Sequence, residues 1–452
     1  MSMHYTLQEA GAMMGLSLSG SMQDAPVITG VSTDTRTLQK GDLFFALNGE
    51  NFRGDDFVAA AFQKGAVAAV TDGSGYKDPF FQTSNVLEAL QRLAGAHRDR
   101  CPARIIGITG SCGKTTAKDM LASVLSSEYV VEKTQGNLNN DIGCPLSLLR
   151  LSQATHFGII EMGANHIGEI RALCGLAKPD EGVVTLVAPA HLEGFGSLEG
   201  VAAAKAELME ALPEKGCFYV NMDDPLCRAM GERFRGETVR FGTGGDVYLK
   251  ELRFDDEGEM VLKVHPVGTL RLPLRIRAHV SHVLLAVAAG LRHGIISLEA
   301  PLRDACKKAA RFKEALFQGV HVLDDSYNAN PASMKASLEA LRDYPGQRRI
   351  AVLGDMFELG KSAEALHADI GRFAASLSID FLLSLGGYGG IMAEAAHRAG
   401  LDQAFACASH QEAAAWLQNN TAAGDAVLLK GSRGMKMETV FEQWKSIAPA
   451  GQ

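Results

Sequence analysis

An apolar strand that runs into a glycine-rich turn and then directly into a helix constrains this chain more than any other stretch. Ile105-Ile106-Gly107-Ile108-Thr109 leads into Gly110-Ser111-Cys112-Gly113-Lys114-Thr115-Thr116, and helical apolar spacing continues over 117–125. A buried strand followed at once by a helix calls for a parallel sheet with the helix packed on its face. The same order builds a phosphate cradle. Gly110 and Gly113 let backbone N–H groups close around phosphate oxygens, and the helix start adds partial positive charge. Lys114 has the reach for the β- and γ-phosphates, and the Thr115 hydroxyl suits Mg²⁺. Thr109, Ser111 and Cys112 complete the loop, with Cys112 read as a small space-filling residue and a reactive thiol as the alternative. The spacing departs from the usual G-x-x-x-x-G-K-[ST]: five residues separate Gly107 from Gly113, while Thr109 to Lys114 supplies the expected loop length.

At 452 residues the chain exceeds one compact core. A first block, 1–84, holds strand-like pieces at 27–31, 43–47 and 66–70 and a helix at 56–64. A second, 85–318, opens with a helix at 86–98 and the phosphate loop. It continues through strands at 157–161 and 182–187, a helix at 198–212, an alternating stretch at 247–276 and a helix at 282–293. The alternating stretch reads as a β-hairpin turning at Asp255-Asp256-Glu257-Gly258. A third, 319–452, alternates strands at 320–324, 350–353, 381–385 and 426–429 with helices starting at Ser333 and Ala363. The expected fold is α/β with three domains: a small α/β N-terminal domain, a central doubly wound, mainly parallel phosphate-loop domain, and a Rossmann-like C-terminal domain.

A net charge of −8 gives no electrostatic support for nucleic-acid binding. No apolar run approaches the roughly 18 residues of a membrane span, and the N-terminus lacks the basic start of a signal peptide. The eight cysteines form no C-x-x-C pair, which fits reduced thiols in a cytoplasmic protein.

Strand ends are where open α/β sheets bind ligands. Glu161, at the end of an apolar strand, suits a Mg²⁺ ligand, with a helix-capping carboxylate as the alternative. His191 follows the strand at 182–187 and is balanced between a ligand and a structural histidine. Lys205, taken alone, is an ordinary solvated lysine.

Further motifs follow in order: Gly136-Asn137-Leu138-Asn139-Asn140-Asp141-Ile142-Gly143, Glu161-Met162-Gly163-Ala164-Asn165-His166 and His191-Leu192-Glu193-Gly194-Phe195-Gly196-Ser197. Asp324-Asp325-Ser326-Tyr327-Asn328-Ala329-Asn330-Pro331, Leu353-Gly354-Asp355-Met356-Phe357-Glu358-Leu359-Gly360 and Lys430-Gly431-Ser432-Arg433 complete the set. With the phosphate loop, this series resembles the Mur ligase family over nearly the whole chain. The asparagine-rich, Tyr-Asn-Ala-Asn-Pro and Gly-Asp-Met stretches point to the branch that adds D-alanyl-D-alanine to UDP-N-acetylmuramoyl-tripeptide through an acyl phosphate.

The resemblance implies ATP and two Mg²⁺ ions. Lys114 would contact the transferring phosphoryl group, Thr115 would hold the first Mg²⁺, and Glu161 and His191 would hold the second. Lys205 matches a lysine that such ligases often carry as a carbamate. Ser32, Arg36 and Asn48 would hold the UDP end, and Asn137, Asn139, Asn140 and Asp141 the sugar-peptide. Arg311, Asp325, Tyr327 and Asn328 would approach the nucleotide or the dipeptide. Lys430, Ser432 and Arg433 suit a terminal carboxylate. The implied partners are those two small molecules, with no nucleic acid, and a monomer is expected. A folylpolyglutamate- or cyanophycin-type ligase, or a nucleotide-binding protein without ligase activity, are the alternatives.

Four positions depart from the family pattern. Val280 and Val283 replace asparagines that usually lie near adenine, Leu186 replaces an asparagine, and Ala310 replaces a glycine. Valine makes no side-chain hydrogen bond, so weaker selectivity for adenine is expected.

Overall fold

The computed structural model describes residues 3–20, 26–255, 257–308 and 313–447. Arg311 and Ala310, and Asp256 of the expected turn, lie outside the described residues.

Three larger sheets, one per domain, carry the chain, with a two-stranded and a three-stranded sheet beside them. The central one has six parallel strands in the order Glu237–Phe241, Cys217–Asn221, Glu181–Val184, Arg104–Thr109, Phe157–Glu161, Val131–Lys133. Its middle strands are buried on both faces and read as continuous apolar runs. Period-two alternation divides Arg104–Thr109 between two cores. Ile106 and Ile108 pack toward the helices Lys114–Leu125 and His279–Arg292, whereas Ile105 packs toward Val86–Arg98 and Glu169–Ala177. Gly107 serves this packing and not the phosphate loop. A Cβ there would stand 2.7 Å from Leu208 Cδ1, so glycine lets the helix Leu198–Glu210 lie close on the sheet.

The first sheet orders Leu18–Ser19, Phe80–Gln82, Ala68–Thr71, Asp42–Phe45 and Gly30–Ser32, parallel except at its first pair. The third orders Lys313–Phe317, Val320–Asp325, Ala426–Lys430, Arg349–Leu353, Phe381–Leu385 and Ala404–Cys407, with only the first pair antiparallel. The α/β class and the three-part architecture are as the sequence led us to expect.

Local differences have physical causes. The segment 27–31 forms two short strands, Val27–Ile28 and Gly30–Ser32, in different sheets. The expected hairpin is a three-stranded antiparallel meander, Tyr248–Phe254, Met260–His265 and Gly268–Leu272. Its second turn, at Pro266-Val267, carries no glycine- or asparagine-rich signature ahead of Gly268. Lys313–Phe317 joins the third sheet, which therefore begins ahead of residue 319. The helix expected from 282 starts at His279.

Candidate active site

The strand order of the central sheet reverses around Arg104–Thr109, and the C-terminal ends of its three middle strands meet there. These ends face the C-terminal ends of the third sheet across a cleft of about 620 Å³.

Residues 110–113 form the phosphate loop, and Lys114 begins the helix. Gly113 has φ +80°, and a Cβ there would stand 2.1 Å from His282 Nε2, so both backbone and space require glycine. Lys114 Nζ donates to the Gly110 carbonyl at 2.8 Å, folded back over its own loop. The Ser111 hydroxyl donates to the Ala188 carbonyl at 2.8 Å, and the Thr109 hydroxyl to the Met162 carbonyl at 2.8 Å. These bonds tie the loop to the neighbouring strands. Cys112, half-buried, lines the cleft; the other seven cysteines are buried.

Glu161 ends its strand in the cleft wall, 2% exposed. Thr115 Oγ1 donates to its Oε2 at 2.9 Å and Asn139 Nδ2 to its Oε1 at 2.8 Å. Lys118 Nζ, also 2% exposed, lies 3.6 Å from Oε2. A carboxylate so buried needs this compensation. The Thr115 hydroxyl and the Glu161 carboxylate are a pair of hard oxygen donors of the kind Mg²⁺ takes alongside substrate phosphates. Among the described residues no group of three or more His, Cys, Asp or Glu side chains could hold a metal.

His191 also lines the cleft, and its Nδ1 is hydrogen-bonded to Glu358 of the C-terminal domain. Lys205 does not line it. It is 2% exposed within Leu198–Glu210, with Nζ 5.2 Å from the centroid of the Phe195 ring. Burial, with the Lys114 charge adding to it, pulls its amine down to about 7, against the opposing pull of Glu169 and Glu207. The solvated lysine expected from sequence alone is therefore a buried one.

Asn137 and Asn140 line the cleft beside Asn139; Asp141 does not, and its carbonyl accepts from Gln91 Nε2 at 3.1 Å. Asn140 Oδ1 accepts the Gly143 N–H at 2.9 Å. Ser32, Arg36 and Asn48 stand apart on the first domain, at or after the ends of its parallel strands. The Ser32 hydroxyl donates to the Asp34 carbonyl at 2.9 Å, Arg36 pairs with Asp34 at 2.6 Å on the exposed surface, and Asn48 donates to Asp72 at 3.1 Å.

From the C-terminal domain come Asp325, Tyr327, Asn328, Lys430, Ser432 and Arg433. Lys430, 1% exposed, donates to Asp325 Oδ2 at 2.6 Å and to the Asn328 carbonyl at 3.0 Å; the two charged residues are register partners on adjacent strands. Its ammonium is thus engaged within its own domain. The Ser432 hydroxyl accepts the Phe357 N–H at 2.8 Å. Arg433 is 61% exposed and pairs with Glu438 at 2.8 Å.

Val280 and Val283 do not face the cleft. Both are buried in the core against Lys114–Leu125, while Ala278, His279, Ser281 and His282 supply the wall. Neither valine therefore contributes to the cleft surface, to which this helix and the residue before it give His279, Ser281, His282 and Ala278. Leu186 does line the cleft, and its carbonyl accepts the Ser111 N–H at 2.9 Å.

Sequence reasoning passed over Lys118 and gave no role to Glu358 and Asn330, which it met only within longer motifs. Lys118 stands one helical turn after Lys114, a readable spacing. Asn330 Nδ2 reaches the Ser111 carbonyl at 3.2 Å across 219 residues, and no local signal announces that.

Three family profiles match the chain: Mur ligase family, catalytic domain, at 27–103; Mur ligase middle domain at 108–290; and Mur ligase, glutamate ligase domain, at 310–433. The chain is 34% identical to UDP-N-acetylmuramoyl-tripeptide--D-alanyl-D-alanine ligase of Bacillus subtilis (strain 168), over 97% of each chain. A crystal structure of MurF from Acinetobacter baumannii superposes with a TM-score of 0.88 at 29% identity, covering 98% of this chain and 99% of that one. MurF ligase from Thermotoga maritima in complex with ADP gives a TM-score of 0.82 at 28% identity, covering 92% and 97%. The E. coli FolC structure in complex with DHPP and ADP, at 18% identity and a TM-score of 0.58 over 79% of this chain and 92% of that one, shares the fold alone. The chain belongs to the Mur ligase family.

Proposed function

We propose that this ligase uses ATP to join the terminal carboxylate of UDP-N-acetylmuramoyl-tripeptide to the amine of D-alanyl-D-alanine. The observation that carries this reading is one cleft in which the phosphate loop, Glu161 and three asparagines face Asp325, Asn328 and Lys430 of another domain. The Bacillus subtilis relative carries that activity in its name.

A carboxylate is a poor acyl donor, so it is first phosphorylated. A carboxylate oxygen bonds to the γ-phosphorus, the bond to the β-phosphate bridge breaks, and ADP leaves. The amine of the dipeptide then attacks the acyl carbon, its proton is lost, phosphate leaves, and the amide remains. Phosphoryl transfer depends mostly on positioning and charge neutralisation. Lys114 is placed to exchange its bond to the Gly110 carbonyl for a phosphate oxygen. The Asn137, Asn139 and Asn140 amides offer donors and acceptors to the sugar-peptide.

Two Mg²⁺ ions belong to this reading, one held by Thr115 and one by Glu161 and His191; Lys205 does not itself line the cleft, and a carbamate extending its amine would be what brings it to the second ion. Bound there, they would neutralise charge on the phosphates. A lysine whose amine is pulled down to about 7 is substantially neutral at neutral pH, the form that adds CO₂ and loses a proton to become a carbamate. Ser32, Arg36 and Asn48 are assigned to the UDP end, so that the first, central and C-terminal domains take UDP, ATP and dipeptide, the last of them opening with the strand Lys313–Phe317. Arg433 is the exposed cation assigned to the dipeptide carboxylate. We place the enzyme in the cytoplasm as a monomer; among the described residues no helix is long and apolar enough to cross a membrane.

Phosphate release that requires the UDP-tripeptide and D-alanyl-D-alanine together tests the proposal. Release with either substrate omitted, or none with both present, overturns it.

A further inference from the structure

Among the described residues six non-glycine residues have positive φ, and two of them touch each other across a domain boundary. His191 has φ +51° and Glu358 φ +61°, a conformation that side chains rarely adopt and that the surroundings must hold. His191 follows the central sheet, whereas Glu358 follows the strand Arg349–Leu353 of the third sheet. They meet through Nδ1 of the ring and Oε2 of the carboxylate. The backbones meet as well, since Glu193 N–H donates to the Glu358 carbonyl at 3.3 Å.

The loop that carries Glu358 is anchored from beneath. Asp355 accepts the Gly387 and Tyr388 N–H groups at 2.7 and 3.1 Å. His367, fully buried and stacked on Tyr388, accepts the Met356 N–H at 2.9 Å and contacts the Ala363 carbonyl at 2.6 Å. Phe357 N–H donates to Ser432. The loop is therefore built to hold one shape, and Glu358 is its projecting tip, 53% exposed at the side chain.

A carboxylate beside Nδ1 favours a proton on that nitrogen, and in the neutral ring this leaves Nε2 as the acceptor. Partners on the far ring nitrogen commonly set which nitrogen a metal takes. We propose that Glu358 is a positioning residue that fixes His191 in the Nδ1–H tautomer, and that it does so only while the C-terminal domain is docked on the central one. The histidine is thereby prepared for a cation by domain docking itself. What the histidine is prepared for rests on the ligase reading above; the contact and the tautomer do not.

The first test is ¹⁵N NMR of histidine-labelled, metal-free full-length protein, with His191 identified by loss of its signals in His191→Gln. The wild type should show Nδ1 protonated and Nε2 bare, and Glu358→Ala should move both signals toward the ordinary tautomer mixture. Identical His191 signals in the two proteins overturn the proposal. The second test is Mn²⁺ binding by electron paramagnetic resonance with a non-hydrolysable ATP analogue present. Affinity should fall about tenfold in Glu358→Ala and recover in part in Glu358→Gln, whose amide oxygen still accepts from Nδ1. Unchanged Mn²⁺ affinity in Glu358→Ala overturns the link to the cation. A wild type that fails to release phosphate with both substrates would remove the ligase reading and leave the tautomer result standing.

Discussion

The two walls of the cleft solve the same problem differently. The central wall buries its functional charges and ties them to one another: Glu161 is held by Thr115, Asn139 and Lys118, all from the same domain. The C-terminal wall buries one ion pair, Lys430 with Asp325, and presents its reaching side chains to solvent. Tyr327, Phe357, Glu358 and Arg433 are each about half exposed or more. The Glu161 cluster is organised within its own wall, whereas Glu358, at the tip of an anchored loop, finds His191 only across the cleft. Closure of this kind is how multidomain enzymes complete a site.

Breaking the central wall should have the largest effect. Lys114→Ala is expected to lower kcat by about a thousandfold, the scale for losing a donor aimed at developing charge. Calorimetric binding of the UDP-tripeptide should be unchanged, because that ligand is assigned to the first domain. Breaking the platform comes next. Lys430→Ala leaves the partly buried Asp325 without its cation and should destabilise the C-terminal domain by about 3 kcal/mol in denaturant unfolding. Lys430→Ala combined with Asp325→Ala should be milder than the single change if the buried pair is the cause.

Lys205→Ala should lose activity on the order of a hundredfold, and short carboxylates added to the buffer should restore part of it. Full activity in that variant would leave Lys205 a packing residue. Without CO₂, the same lysine predicts a pH effect. Its amine is near 7 when folded and near 10.5 when unfolded, so the unfolded chain binds more protons between these values. Stability should therefore rise with pH across that window and be at its lowest below about 7, and Lys205→Met should flatten this rise in thermal unfolding. The smallest effect belongs to an exposed tip. Arg433→Ala should raise KM for the dipeptide several-fold and cost under about 1 kcal/mol of stability, since its pair with Glu438 is solvent-screened.

The same contrast explains what the sequence could tell. The phosphate loop is a local signal, in which strand, glycines, lysine and helix are contiguous and each specifies the next. Glu161 was legible because an acid closing an apolar run has few bland explanations. Val280 and Val283 show that a family pattern gives position but not direction. Three residues apart, they share one helical face, and the packing of His279–Arg292 on Lys114–Leu125 turns that face inward. Contacts across domains left no local trace. His191 and Glu358 are 167 residues apart, and neither has a neighbour in sequence that predicts the other. Lys205 became visible only through resemblance, since its burial depends on how Leu198–Glu210 packs on the sheet.

Seven of the eight cysteines are buried, and burial pushes their thiols above the ordinary range; Cys112, in the phosphate loop, is half-buried. Thiolate and access together govern alkylation. The folded enzyme thus carries its own reporter: a maleimide should label one position first, and the rate of that labelling should drop as nucleotide fills the loop, giving occupancy without an engineered dye site or a turnover assay.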